Sequence, residues 1–124
     1  MYPPIFPVIK SSSACRALLQ NGLGELRFYQ FGLAPQNVSK PYAVWSRVFG
    51  QPYNHMNQVP NTDSFTLQID IYSDSAETSR SVAVAIRDAI EPVSYITNWL
   101  QESRDPDTKN YRFGLQADWI VERA

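Results

Sequence analysis

The lone histidine, His55, and the carboxylates Glu102, Asp105 and Asp107 are the first residues to weigh for chemistry. A histidine serves as a general base or metal ligand near neutral pH, but either role needs a partner that orients the ring or shares the ion. His55 lies in a polar stretch with no second histidine, no cysteine and no carboxylate pair beside it, and it reads as an exposed contact residue. The three carboxylates sit among Ser, Asp and Pro without the spacing of a calcium loop. They read as a solvated turn, not as an ion site or a glycosidase pair. Cys15, the single cysteine, falls at core spacing in a helical stretch with no base nearby. It reads as a small buried hydrophobe, and one cysteine excludes an internal disulfide or a Cys-based zinc site. The chain has no Gly-rich phosphate loop and no nucleophile elbow. No residue is therefore assigned a catalytic, cofactor-binding or metal-binding role.

What remains is surface chemistry. Asp70 puts a charge in the middle of an otherwise alternating strand, where it is either solvent-facing or paired across a subunit boundary. Arg27, Arg47, Arg104 and Arg112 could line a basic surface, and Tyr and Trp are abundant enough to stack bases. Most of those aromatics recur at strand spacing, which favours core or interface over a nucleic-acid platform. Arg47, Asp70, Tyr72 and Arg112 form the candidate subunit interface.

The elements that position these residues are clearest between Asp63 and Pro92. Phe65, Leu67, Ile69 and Ile71 alternate with Thr66, Gln68, Asp70 and Tyr72, the period of a strand with one face in a core. Asp74 and Glu77 have the spacing of a capping box. The period then becomes helical, with Val82, Ala83, Ile86, Ala89 and Ile90 in one stripe until Pro92. Upstream, an imperfect helix is predicted through Ile5, Val8, Ile9, Ala14, Leu18 and Leu19, stopping at Asn21 and Gly22. A short aromatic strand follows over Leu26 to Phe31. A second runs from Tyr42 to Phe49, with Ala43, Trp45 and Phe49 on one side and Tyr42, Val44, Ser46 and Val48 on the other.

Gly50 to Thr62 lacks apolar periodicity and reads as a long functional loop, with Gln51, Tyr53, Asn54, His55, Met56, Asn57 and Gln58 as candidate contact residues. Val93 to Gln101 and Tyr111 to Val121 read as a closing hairpin. The predicted fold is α+β: a largely antiparallel sheet of about four or five strands with two helices on one face. The order is helix, three strands, helix, two strands.

At 124 residues the chain fits one domain, and 44% hydrophobic with 19% charged residues is the composition of a folded protein. A net charge of -1 argues against nucleic-acid binding by bulk charge. No apolar run approaches the roughly 20 residues of a membrane helix, and no membrane partner or export from the cytoplasm is expected.

Tyr29-Gln30-Phe31-Gly32-Leu33-Ala34-Pro35-Gln36 followed by Pro41-Tyr42-Ala43-Val44-Trp45 resembles the front half of the tail completion proteins of long-tailed phages, the tail-to-head joining or tail terminator family. Gln68-Ile69-Asp70-Ile71-Tyr72, Arg87-Asp88-Ala89-Ile90-Glu91-Pro92 and Glu102-Ser103-Arg104-Asp105-Pro106-Asp107 resemble that family's central strand, second helix and final hairpin, in the same order. The resemblance implies a non-enzymatic virion protein forming a hexameric ring at the head-proximal end of the tail tube. Such a ring stops tube growth and offers a docking surface to the head connector protein, so the implied partners are other copies, the tail tube protein and the connector. A head-completion adaptor on the portal side is the alternative within the same particle. A small ligand-binding domain or enzyme is the alternative outside it.

Overall fold

The computed structural model describes residues 3–35, 38–55 and 58–122, with the backbone alone for 53–55 and 58–61. In chain order the elements are α1 (Ile5–Ser11), α2 (Ser13–Leu19), β1 (Phe28–Gln30), β2 (Tyr42–His55), β3 (Gln58–Ser73), α3 (Ala76–Ile90), β4 (Tyr95–Trp99), β5 (Ser103–Arg104) and β6 (Tyr111–Glu122). The strands form one six-stranded sheet in the order β1-β2-β3-β6-β4, with β5 on β6. Only the β1–β2 pair is parallel. β3 and β4 both run antiparallel to β6, which lies between them although it follows both in sequence. The unit β3-α3-β4 is thus a split β-α-β.

The mixed, largely antiparallel α+β class is as expected, but three helices replace two. The first helix ends at Ser11 and restarts at Ser13, because Ser12 is extended and its side chain accepts from Cys15 N at 3.2 Å, capping α2 instead of continuing α1. The buried pairs Ile5/Ile9 and Cys15/Leu19 keep the expected i, i+4 stripe on each half.

α3 also starts one residue later than the capping-box reading. Ser75, not Asp74, is the N-cap, accepting from Thr78 N at 3.1 Å. Asp74 turns outward to Lys40 at 3.4 Å and is 83% exposed. Ser75→Ala is therefore expected to cost about 1 kcal/mol, whereas Asp74→Ala stays within about 0.5 kcal/mol, as an exposed ion pair contributes little. Urea unfolding of the two variants separates them, and a lower midpoint for Asp74→Ala than for Ser75→Ala would return the cap to Asp74.

α3 buries Ser79, Val82, Ala83, Ala85, Ile86 and Ile90 against the sheet. From the sheet come Trp45, Leu67, Ile69, Ile71, Leu115, Ala117 and Trp119, all inside one cluster with the α1 and α2 residues. Helices cover this face only. The other face of the sheet carries the alternate residues of every strand, and the candidate site lies there and along the strand edges.

Candidate assembly surface

Antiparallel register places residues of the uncovered face in rows across the strands. One row contains Tyr42, Tyr72 and Arg112, and the next Val44, Asp70 and Gly114. Below these come Ser46, Gln68, Gln116 and Asn98, and then Phe49, Thr66, Asp118 and Tyr95. Asp70 Oδ1 accepts from Arg112 Nε at 3.1 Å and Nη2 at 2.9 Å, a pair within one chain on neighbouring strands. Gly114 stands opposite Asp70, and a Cβ there would lie 3.0 Å from Asp70 Oδ1 and 2.9 Å from Leu100 Cδ1. The missing side chain leaves the carboxylate its room.

Amide side chains extend this pair across the sheet. Asn98 Nδ2 donates to Gln116 Oε1 at 3.0 Å, Gln116 Nε2 to Gln68 Oε1 at 3.3 Å, and Gln68 Nε2 to both Asp70 oxygens at 3.2 Å. Every donor points toward the carboxylate, so a single polar chain links β4, β6 and β3. The bond to Asp70, followed by its charge, raises the Arg112 pKa. Tyr72 stacks on Tyr42 with centroids 5.1 Å apart, and burial, then Asp70, pushes its hydroxyl pKa up.

Of the four residues expected at a subunit interface, the structure thus brings together Asp70, Tyr72 and Arg112. Arg47 is elsewhere: it is in register with core-facing Leu67, on the opposite side of the sheet. Tyr42, Tyr72, Arg104 and Arg112 border a cleft of about 490 Å³ with the turn after β5. Just before β5, Glu102 accepts from Arg80 Nε and Nη2, each at 2.8 Å, and the Arg80 bonds hold its pKa below the usual carboxylate range. Asp105 Oδ1 accepts from Asp107 N at 2.8 Å and Thr108 N at 3.3 Å, and these backbone bonds lower its pKa likewise. Glu102 ties the start of β5 to α3, and Asp105 holds the turn after it. Among the described residues no group of three or more His, Cys, Asp or Glu could hold a metal ion. Burial, ahead of other causes, raises the thiol pKa of Cys15.

Gly50 to Thr62 is not a loop. β2 and β3 continue as an antiparallel hairpin through Gln51↔Ser64, Pro52↔Asp63, Tyr53↔Thr62 and His55↔Gln58. β6 follows β3 only as far as Thr62, so beyond it the two strands pair only with each other among the described residues. Gln51 and Pro52 at its base are exposed, and the sequence beyond them, rich in Gln, Asn and Pro, lacks the alternation that marks a half-buried strand. Of the candidate contact residues, Gln51 is exposed on the arm's base. Met56 and Asn57 lie outside the described residues, as do the side chains of Tyr53, Asn54, His55 and Gln58.

A register shift between Arg47 and Phe49 corrects a second expectation. The extra residue, Val48, turns Phe49 from the side of Ala43 and Trp45 to the uncovered face, opposite Thr66. Phe49 is 56% exposed, Tyr95 at the other end of the same row 70%, and Ile120 one row on 52%. Sequence alternation alone missed this apolar group, because one inserted residue inverts every face beyond it. Edges are open too: β1 covers β2 only along Ala43–Trp45, and no described strand pairs the outer side of β4.

These features define a class: a small α+β structural subunit whose polar groups are spent on shaping a sheet face, a turn and a projecting arm. The chain belongs to the family described as tail completion protein gp17, whose family model matches residues 3–122. The fold is similar to that of a chain in the solved virion of a native gene transfer agent particle, at 15% identity and a TM-score of 0.63, covering 96% of this chain and 92% of that one. No curated protein matches. Family membership carries a structural role in tail assembly.

Proposed function

We propose that this protein forms a ring at the head-proximal end of a phage tail tube, ends tube growth there and joins the tail to the head. The observation that carries the reading is the family match over residues 3–122. Open strand edges and a projecting hairpin suit a subunit that binds its own copies sideways and other proteins endwise. The expected ring is a hexamer, with the tail tube protein and the head connector protein as neighbours. The arm, including Gln51, Tyr53, Asn54, His55, Met56, Asn57 and Gln58, is the proposed contact to one of them. Tyr72 and Arg112, bordering the cleft, and Arg47 are proposed subunit contacts, while Asp70 orients Arg112 from beneath. The reading involves no catalytic step.

An early stop codon in the gene, followed by electron microscopy of the lysate, tests the reading. Filled heads without tails beside free tubes of uncontrolled length are expected. Unjoined heads with tubes of normal length would move the protein to the portal side, and normal particles would overturn the proposal.

A further inference from the structure

The row Phe49–Thr66–Asp118–Tyr95 crosses four strands and has its exposed aromatics at its two ends, one on β2 and one on β4. Its middle is already satisfied, since Thr66 Oγ1 donates to Asp118 Oδ1 at 2.6 Å. The neighbouring row ends in polar residues, Ser46 on β2 and Asn98 on β4. Laid side by side, two copies of this sheet bring Phe49 of one beside Tyr95 of the next, and Ser46 beside Asn98. Like meets like at both levels.

Strand direction agrees. β2 is antiparallel to β3, β3 to β6 and β6 to β4, so β4 runs opposite to β2. A rotation about an axis lying near the strand direction preserves these senses, and β4 of one copy then meets β2 of the next in antiparallel fashion, the more stable pairing. The open side of β2 begins where β1 ends, at Trp45, and Pro52, which has no N–H to give, limits it on the other side. Ser46–Phe49 lies between them, with Arg47, Val48 and Phe49 exposed.

Charge does not oppose the arrangement. Tyr95–Trp99 carries no charged residue, and Ser46–Phe49 carries only Arg47, which lies on the other side of the sheet from Phe49, so no like charges meet across the contact.

We infer that the subunits associate by β-sheet continuation, the outer side of β4 in one copy pairing with Ser46–Phe49 of β2 in the next. The contact is heterologous, two different patches meeting, which closes into a ring when the rotation closes. Tilt of the strands adjusts the stagger between levels, as in any closed sheet. Exposed edges are an aggregation liability in a monomer; here each edge is the cover for the other. The inference rests on the self-assembling reading above and specifies its interface.

Phe49→Cys combined with Tyr95→Cys tests it in the full-length chain. Within one chain these positions are three strands apart, about 14 Å at the usual strand spacing, beyond the reach of a disulfide. Cys15 is buried and stays out of the exchange. Mild oxidation is expected to give a ladder of covalent multimers on non-reducing gels, with neither single variant passing the dimer. A charge exchange gives a second measurement. Phe49→Lys and Tyr95→Glu each reduce the assembled fraction in native mass spectrometry at least tenfold, and the double variant restores it. Rings in native spectra without ladder or rescue would overturn the edge pairing and leave the ring reading standing. A chain that stays monomeric and gives no ladder would overturn both. Cross-linking of these cysteines in purified particles to a different virion protein, and not to a second copy, would also overturn the inference.

Discussion

Trp119→Ala lowers the unfolding free energy by about 3–5 kcal/mol, the usual cost of emptying a large aromatic site in a core. Trp119 is 2% exposed on β6 and in register with Phe65, which in turn faces Gly50. A Cβ at Gly50 would stand 3.0 Å from Phe65 Cδ1, so the phenyl ring already occupies that space. Nothing in this row is positioned to close over the hole an alanine leaves. Trp119→Phe has a different balance. Trp119 Nε1 is buried with no hydrogen-bond partner among the described residues, and a buried donor left unsatisfied costs about 1–3 kcal/mol. Phenylalanine loses some packing but removes that donor, so its net cost falls below about 1.5 kcal/mol. Urea unfolding followed by circular dichroism gives both values. Equal losses for the two variants would show that ring volume alone sets the effect, and a cost under about 1 kcal/mol for alanine would take Trp119 out of the core.

Shortening the arm separates folding from docking. Replacing residues 54–61 by Asn-Gly joins Tyr53 to Thr62, an existing cross-strand pair, through the two-residue turn that suits a hairpin. The core lies beyond the cut, and the pairing of β3 with β6 from Thr62 onward is untouched. The shortened chain is expected to unfold within about 1 kcal/mol of the parent, as surface changes away from packed groups do. If the arm holds the tube or the connector as proposed, complementation of the stop-codon mutant with this variant yields no joined particles. Joined particles in normal numbers would remove the arm from docking. Loss of the folded state would make it a structural part of the sheet.

The two predictions concern regions that differed in how plainly the sequence displayed them. β3, α3 and β6 were legible because each has one face in the core and one in water, so Phe65 to Ile71, Val82 to Ile90 and Phe113 to Trp119 repeat at the period of their own element. The arm was hidden because residues 51–61, rich in Gln, Asn and Pro, show no such contrast between alternate positions. Ser12 broke the first helix through a local side-chain bond that apolar spacing does not register. The bulge at Val48 cost one residue and reversed the face of Phe49. Asp70 and Arg112 are 42 residues apart, and only the register of β3 on β6 makes them partners; the choice between solvent and a neighbouring subunit left out the next strand of the same chain.

The order of strands also sets the order in which the protein can form. β2 and β3 are consecutive in the chain and pair antiparallel, so they can form as a hairpin, a local event on the microsecond scale. β6 must instead enter between β3 and β4, forming contacts such as Thr66 to Asp118 across 52 residues of chain. Closing so long a loop is an entropic cost met before the contacts return anything, and high contact order slows folding. Until β6 settles, β4 has no strand to lie on and the sheet has a gap at its centre. On the edge pairing proposed above, the β2 edge forms early and the β4 edge only in this late step, so half-folded chains lack the second edge needed to propagate a polymer.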